Sequence, residues 1–314
     1  MDTFEEIMFI DGIIPDKIST SNDTWALLMG NHLHIFQKGI KKNNYLLPQT
    51  YHSPVYFIND ELIRCHNVEI NLNHESLQPL DLLSVCKDER LGVRLTGNHV
   101  ITNVAWSNNT ALVGVDFFIP RNDVFDKNDK MNYLLAITGK NDKATCKKLG
   151  QHPYLSFNTT QASKRYWASY YGGLHIWDNG VEVKHGLHFD ANLSMENIFI
   201  NEDEDQIVLV NALGKLFVIN TTDWKIRFEF HLQKSEMMLL TSISPNGQLI
   251  ATGNNEGDLH LYQQLSNGFE TIVSKNLEGI ITSINASNNQ LLIGLNSNTK
   301  KGLRCYALKV PLKF

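Results

Sequence analysis

Histidine and cysteine side chains are the groups in this sequence most suited to metal chemistry, and they are scattered along it. The chain has twelve histidines and four cysteines. The closest pairs are Cys65 with His66 and His32 with His34. Alternate residues of a strand point to one face, so His32 and His34 would need only a third ligand to hold a metal ion. Most such pairs are solvated or packed instead, and we predict no metal site.

Catalytic and phosphate-binding motifs do not occur in the chain. There is no GxSxG, no P-loop, no GxGxxG and no HExxH. The stretch "YYGG" at 170–173 indicates a tight turn between strands, without the helix that a phosphate-binding loop requires. The acidic run at 202–205 lacks the spaced oxygen ligands and the glycine of an EF-hand loop. We therefore predict a solvated hairpin tip there, no cofactor and no enzymatic activity.

Composition and charge restrict the classes of partner and the compartment. The chain has 314 residues, a net charge of -5 and a pI of about 6.2, which do not favour nucleic-acid binding. The first residues, "MDTFEEIMFIDG", are acidic, and no apolar stretch approaches ~18 residues, so we expect neither a signal peptide nor a membrane span. The cysteines form no CxxC pair, which favours free thiols in a reducing compartment. We expect an intracellular protein of the cytoplasm or nucleus.

The elements that would carry any site recur along the chain. The stretch "SISPNGQLIATGNNEGDLHLY" at 242–262 indicates two strands with a turn before each of them. Copies of its last four residues recur seven times: "LHIF" from Leu33, "VEIN" from Val68, "LLAI" from Leu134, "LHIW" from Leu174, "LFVI" from Leu216, "LHLY" from Leu259 and "LRCY" from Leu303. Successive copies begin 35, 66, 40, 42, 43 and 44 residues apart. Only the second interval is out of step, which indicates an insertion.

Each copy is predicted to be the third strand of a four-stranded unit. A strand and a short Gly- or Asn-rich turn precede each copy, as in "DTWALLMGNHLHIF" and "KRYWASYYGGLHIW". Another apolar run lies upstream of several copies, and a weaker fourth run follows. His34, His175 and His260 share one register of this repeated strand, so we predict equivalent packing positions for them.

Four strands in each unit of about 40–45 residues resemble the blades of the WD40-repeat family. The resemblance covers nearly the whole chain, and Trp177 and Asp178 form the Trp-Asp dipeptide of that family. It implies an all-β, seven-bladed β-propeller over residues 1–314, without a separate domain. An N-terminal strand commonly completes the last blade in this family, and we predict that Phe4–Asp11 does so here.

The insertion in unit three, at about 116–132, is the best functional clue in the sequence. It would join the second and third strands of its blade, on the rim that most often holds partners in WD40 proteins. Aromatic side chains together with arginine in an exposed loop are typical of interface hot spots. The insertion and neighbouring rim positions form the predicted partner surface: Arg64, His66, Phe117, Phe118, Arg121, Phe125, Tyr170 and Tyr171. Phe117 and Phe118 are equally compatible with core positions at the end of the second strand.

The resemblance favours a non-catalytic protein-interaction scaffold that is a subunit of a larger intracellular assembly of proteins or peptides. A propeller enzyme of hydrolase type, with its site in the central channel or on the top rim, is the alternative. It would require histidine and carboxylate side chains that converge at the channel mouth. A phosphoinositide-binding propeller would require paired basic residues on a blade edge, and the "KK" pairs of this chain are dispersed.

Overall fold

The chain is built from β-strands that form seven four-stranded antiparallel sheets. The computed structural model describes residues 4–48, 54–84, 98–107, 110–118, 130–139, 144–151, 156–159, 165–170, 173–178, 180–187, 189, 195–200, 205–211, 214–231, 240–265 and 268–308. Within these ranges, no helix is long and apolar enough to cross a membrane. The chain divides into two compact units, one of residues 1–50 and 199–314 and the other of residues 51–198.

The first unit contains the sheets that we number one, six and seven, and most of sheet five. Sheet one contains β2 (Lys17–Ser21), β3 (Thr24–Met29), β4 (His32–Gln37) and β5 (Ile40–Leu46). Sheet five contains β18 (Met195–Ile200), β19 (Gln206–Asn211), β20 (Lys215–Asn220) and β21 (Lys225–His231). Sheet six contains β22 (Leu240–Ile243), β23 (Leu249–Gly253), β24 (Asp258–Leu265) and β25 (Gly268–Asn276). Sheet seven contains β26 (Ile280–Ala286), β27 (Gln290–Asn296), β28 (Gly302–Leu308) and β1 (Phe4–Asp11).

The second unit contains sheets two, three and four. Sheet two contains β6 (Val55–Asn59), β7 (Leu62–Cys65), β8 (Val68–Asn71) and β9 (Ser76–Pro79). Sheet three contains β10 (Asn98–Trp106), β11 (Thr110–Phe118), β12 (Lys130–Thr138) and β13 (Thr145–Gly150). Sheet four contains β14 (Ser156–Thr159), β15 (Arg165–Tyr170), β16 (Gly173–Asp178) and β17 (Val181–Glu182).

The seven sheets are the blades of a seven-bladed β-propeller, which confirms the predicted fold. All seven copies of the repeated motif lie in the third strand of their blade, as the sequence predicts. The stretch 242–262 belongs to the first three strands of blade six.

Burial explains why the middle strands of each blade could be recognised from the sequence. Every residue of β23 is buried, whereas half-buried and exposed positions alternate along the outer strand β21, which has no fully buried residue. A middle strand has hydrogen-bonded strands on both sides and packed neighbours on both faces, so it becomes a continuous apolar run. Within the first unit, such runs meet in one cluster that includes Leu249, Leu261 and Ile293 of blades six and seven.

The N-terminal strand completes blade seven, as predicted. β1 pairs antiparallel with β28 from Phe4 opposite Leu308 to Asp11 opposite Gly302. The Phe4 ring stacks on the ring of Tyr306 at 4.1 Å between centroids. The first and last described strands of the chain therefore share one sheet.

The insertion of blade three is shorter than its predicted range of about 116–132. β11 continues to Phe118 and β12 begins at Lys130, and Phe118 pairs with Lys130 across the two strands. The connection of 119–129 lies outside the described residues. Each strand has nine residues, so the sequence run assigned to the insertion includes the end of one strand and the start of the next.

The cysteines differ from the sequence-based expectation. Cys65 and Cys305 are free and buried, and burial raises the pKa of Cys305 to about 11. Cys146 is disulfide-bonded, so the prediction of four free thiols is wrong. The cysteines therefore do not indicate a reducing compartment.

Candidate partner-binding surface

Arg64 and His66, two residues of the predicted partner surface, lie in the interior of the protein. Their exposed fractions are 2% and 5%. Arg64 belongs to β7, and His66 occupies the tight turn into β8 with a φ of 52°. The expectation that both side chains stand exposed at a rim is therefore wrong. Their role in partner binding stays a prediction.

Arg64 is held by a buried ion pair with the residue opposite it on β8. Its Nε and Nη2 atoms donate to Oε2 of Glu69 at 2.9 and 2.7 Å, and Gln78 Nε2 donates to the other carboxylate oxygen at 2.9 Å. The guanidinium lies 4.5 Å from the ring centroid of Trp106. Trp106 Nε1 in turn donates to the backbone oxygen of His66 at 2.7 Å. This network fixes the Arg64 charge inside unit two.

The other predicted surface residues are described only in part. Phe117 and Phe118 end β11, and Tyr170 ends β15, where its backbone pairs with Gly173. Arg121, Phe125 and Tyr171 lie outside the described residues. The predicted surface around the blade-three connection therefore stays a prediction.

Two of the three histidines at the equivalent position of the repeated strand are buried, and the third is half-buried. His34 and His260 are each 9% exposed, and burial is the main cause that lowers the pKa of both. His175 is half-buried and its ring lies 5.9 Å from that of Trp177. Across the described residues, no group of three or more His, Cys, Asp or Glu side chains is arranged to hold a metal ion.

A groove that the sequence did not predict lies between blades six and seven, within the first unit. Its cavity volume is about 420 Å³. Three connections line it: the β23–β24 turn, the β25–β26 turn and the β27–β28 turn. Two of these join a second strand to a third strand, which is the kind of connection that carries the predicted surface in blade three.

Two asparagines hold the first two connections together. Asn254 is 4% exposed, and its Oδ1 accepts from the backbone nitrogens of Glu256 and Asp258 at 3.0 and 2.9 Å. Asn276 Nδ2 donates to the Glu256 backbone oxygen at 3.0 Å and to Asp258 Oδ1 at 2.9 Å. Asn276 Oδ1 accepts from the Glu278 backbone nitrogen at 2.8 Å. Hydrogen bonds from Asn276 and Asn254 lower the pKa of Asp258. This carboxylate therefore stays ionised and connects the two turns by accepting from both asparagines.

Glycines allow the three connections to touch through their backbones. Gly257 has a φ of 85°, and a Cβ there would lie 2.5 Å from the backbone oxygen of Gly279. A Cβ at Gly279 would lie 2.6 Å from that of Ser297. Residues with side chains would push these turns apart. The groove walls are therefore fixed by close backbone contact.

Two carboxylates and one apolar side chain give the groove its chemical character. Glu256 and Glu278 line it and are exposed, and neither forms an ion pair within the described part of the chain. Ile280 lines it as well and is 47% exposed. The remaining lining groups are amides, hydroxyls and backbone, so the groove is negative, rich in acceptors and partly apolar.

Comparison with known proteins identifies the fold. Several solved structures are similar over nearly the whole chain. The β-propeller domain of Cps50 (Swd1) from Myceliophteria thermophila has a TM-score of 0.68, 8% identity, and 97% and 99% coverage of this chain and of its own. The WD40 β-propeller domain of Doa1 has a TM-score of 0.61, 11% identity, and 98% and 97% coverage. The chain has the WD40 β-propeller fold.

This chain is also similar in structure to one chain of a solved protein assembly. A chain in the structure of the Mitotic Checkpoint Complex matches with a TM-score of 0.61, 9% identity, and 97% and 93% coverage. No family model matches this chain, and no curated protein matches it at the sequence level. At such identities the likeness concerns the fold alone.

The groove of this WD40 propeller was missed because its three turns are ordinary in sequence. "GNNEGD", "NLEGI" and "LNSNTK" each have the composition of a hairpin or blade connection. The first and third of these turns precede the third strand of adjacent blades, and the second turn joins the two blades. An alignment of the repeats by their third strands would have shown that the first and third turns occupy equivalent positions.

Proposed function

We propose that the chain is a non-catalytic protein-interaction scaffold and a subunit of a larger intracellular assembly. The groove between blades six and seven is the observation that carries this proposal. Its walls are preformed by hydrogen bonds and close backbone contacts, and its carboxylates form no ion pair within the described residues. A rigid surface loses little conformational entropy when it binds, which favours recognition of another chain. The presence of this fold in the Mitotic Checkpoint Complex supports the same general role.

Two surfaces are candidates for the contact with partners. One is the groove, and the other is the blade-three connection with Phe117, Phe118, Arg121 and Phe125, which rests on sequence alone. Arginine can form directional contacts with a carboxylate or carbonyl group, and phenylalanine can fill an apolar pocket. The two surfaces are separable by substitution, because no residue belongs to both.

Affinity purification of the tagged full chain from its native cells is expected to recover partner proteins in near-stoichiometric amounts. The double variant Arg121→Ala with Phe125→Ala is expected to reduce recovery by roughly 30-fold, equivalent to about 2 kcal/mol, if both side chains are hot spots. Quantitative mass spectrometry gives the recovery. Circular dichroism is expected to be unchanged, because the sequence predicts an exposed loop at both positions and substitutions in such loops alter stability little.

The size of the native species provides the decisive control. A scaffold subunit is expected to elute from size-exclusion chromatography of a gentle lysate well above its own 35.7 kDa. Elution as a free monomer, with no protein recovered above background, would contradict the proposed function. Full recovery with the Arg121 and Phe125 double variant would exclude the blade-three connection as the contact and leave the scaffold role intact.

A further inference from the structure

We propose that the groove between blades six and seven binds an extended segment of a partner protein through a lysine or arginine side chain. This inference rests on the proposed function and specifies the chemistry of the partner. The occupant has a cationic end group that meets Glu256 and Glu278 and an alkyl stem that packs on Ile280.

Charge complementarity is the first support for a basic side chain. Both glutamates line the groove, are exposed and form no ion pair within the described residues. No lysine or arginine lines the groove. Lys300, which follows the lining residue Thr299, has its Nζ 5.9 Å from the ring centroid of Phe9. Lys275, three residues before Glu278, forms no ion pair with either glutamate within the described residues. Both carboxylates therefore remain available to a cation from another chain.

The exposed isoleucine selects for a long side chain. Ile280 is 47% exposed beside the two carboxylates. Lysine and arginine combine an alkyl stem with a charged end, and they bury the stem along apolar surface while the end group stays at a polar site. A small inorganic cation would use the carboxylates alone and leave Ile280 in water. The combination therefore favours a basic side chain.

The amide groups around the glutamates suit the backbone of an extended segment. Asn255 and Asn298 line the groove and are exposed. A primary amide both donates and accepts, so it can pair with the N–H and C=O groups of a peptide. The volume of about 420 Å³ lies within the range of specific binding clefts. It holds one long side chain together with its adjacent backbone.

Preorganisation gives this site useful affinity despite its exposure. Exposed charge pairs contribute only about 0.2–1 kcal/mol each. The turns that carry Glu256 and Glu278 are already held by Asn254 and Asn276, so binding need not order them. The expected interaction is weak for one side chain and is strengthened by further contacts of the same partner.

An array of random decapeptides is the direct test. The full chain is expected to retain peptides enriched in lysine or arginine, and binding is expected to weaken as sodium chloride is raised, because salt screens exposed charges. The variant Glu256→Gln with Glu278→Gln is expected to lose about tenfold in affinity for the selected peptides, measured by fluorescence anisotropy. The variant Ile280→Ala is expected to lose a smaller factor, about threefold, for the same peptides.

A matched control removes two negative charges elsewhere. The variant Asp23→Asn with Glu61→Gln changes exposed residues that do not line the groove and is expected to bind like the unaltered chain. Replacement of the lysine or arginine in a selected peptide by norleucine or citrulline is expected to reduce affinity as much as the groove variant does. Thermal melting of all variants is expected to agree within about 2 °C, since exposed substitutions alter stability little.

The results that overturn the inference differ from those that overturn the scaffold role. Equal binding by the groove variant and the control variant, or selection of peptides without basic residues, would exclude a basic occupant. If partner proteins are still recovered by affinity purification in that case, the scaffold role stands and the contact lies elsewhere. If the array selects basic peptides that depend on the groove while no partner is recovered from cells, the site stands and the proposed assembly fails.

Discussion

A chain without residues 1–12 is expected to melt about 6 °C below the full chain and to aggregate. The deletion removes β1, the fourth strand of blade seven, together with its backbone pairing to β28. Met8 and Ile10 of β1 pack on a buried cluster that includes Leu303 and Cys305. Loss of these contacts and of the strand pairing is expected to cost about 3–5 kcal/mol, and each kcal/mol shifts the melting temperature of a chain this long by about 1.5 °C.

Aggregation has a separate cause, the edge that the deletion uncovers. Without β1, the N–H and C=O groups of β28 have no strand on their outer side, and an unpaired edge is a template for another chain. In the intact blade the outer strand exposes Glu5 and Glu6, whose charges oppose such pairing. Size-exclusion chromatography and differential scanning fluorimetry measure the two effects.

A point substitution tests the same pairing without shortening the chain. A Cβ at Gly302 would collide with the backbone oxygen of Ile10 and with the ring of Phe9. Gly302→Val is therefore expected to displace the end of β1 and to lower the melting temperature by several degrees. Deletion of residues 1–3, which precede β1, is the matched control and is expected to leave it unchanged. If the chain without residues 1–12 melts with the full chain, the N-terminal strand does not stabilise blade seven.

The repeat was predictable because it follows from burial in the middle of each blade. Leu259 and Leu261 of β24 are fully buried, and their equivalents in other blades are apolar for the same reason. Outer strands such as β17, with its exposed Val181 and Glu182, have little to bury and therefore give weak patterns. The N-terminal strand was identified through the resemblance to WD40 proteins, because its own sequence does not show which blade it joins.

The environment of single polar residues could not be predicted in the same way. Arg64 and Glu69 face each other across β7 and β8, but Trp106, which covers the guanidinium, comes from the next blade. The sequence does not distinguish a position at the rim from a position in the interior when the residues that contact the side chain are far away along the chain. The Cys146 disulfide illustrates the same limit, because cysteine spacing alone does not give the connectivity.

The substitution Glu69→Ala is expected to destabilise the chain by about 3–5 kcal/mol, the loss typical when one partner of a buried ion pair is removed. Arg64 is 2% exposed, so its charge would stay in the interior without the carboxylate that accepts from its Nε and Nη2 atoms. Gln78, which donates to the same carboxylate, is exposed and can turn to water. The expected fall in melting temperature is about 6 °C.

The position of this ion pair in blade two indicates how the stability lost in Glu69→Ala can be restored. Tyr56, Arg64, Glu69 and Gln78 occupy paired positions on the four successive strands, so one polar row crosses the blade. Replacement of a buried ion pair by apolar side chains of similar size is often neutral or stabilising. The double variant Arg64→Met with Glu69→Met is therefore expected to regain most of the stability lost in Glu69→Ala, since methionine adapts to the Trp106 ring.

The comparison of single and double variants separates the ion pair from simple packing. If Glu69→Ala acts only by removing side-chain volume, Glu69→Gln restores the melting temperature and the methionine pair gives no advantage over it. If the unpaired Arg64 charge is the cause, Glu69→Gln stays well below the unaltered chain and the methionine pair rises above both single variants. The second outcome is expected, because a neutral amide accepts one hydrogen bond from the guanidinium but leaves its charge uncompensated in a site that water does not reach.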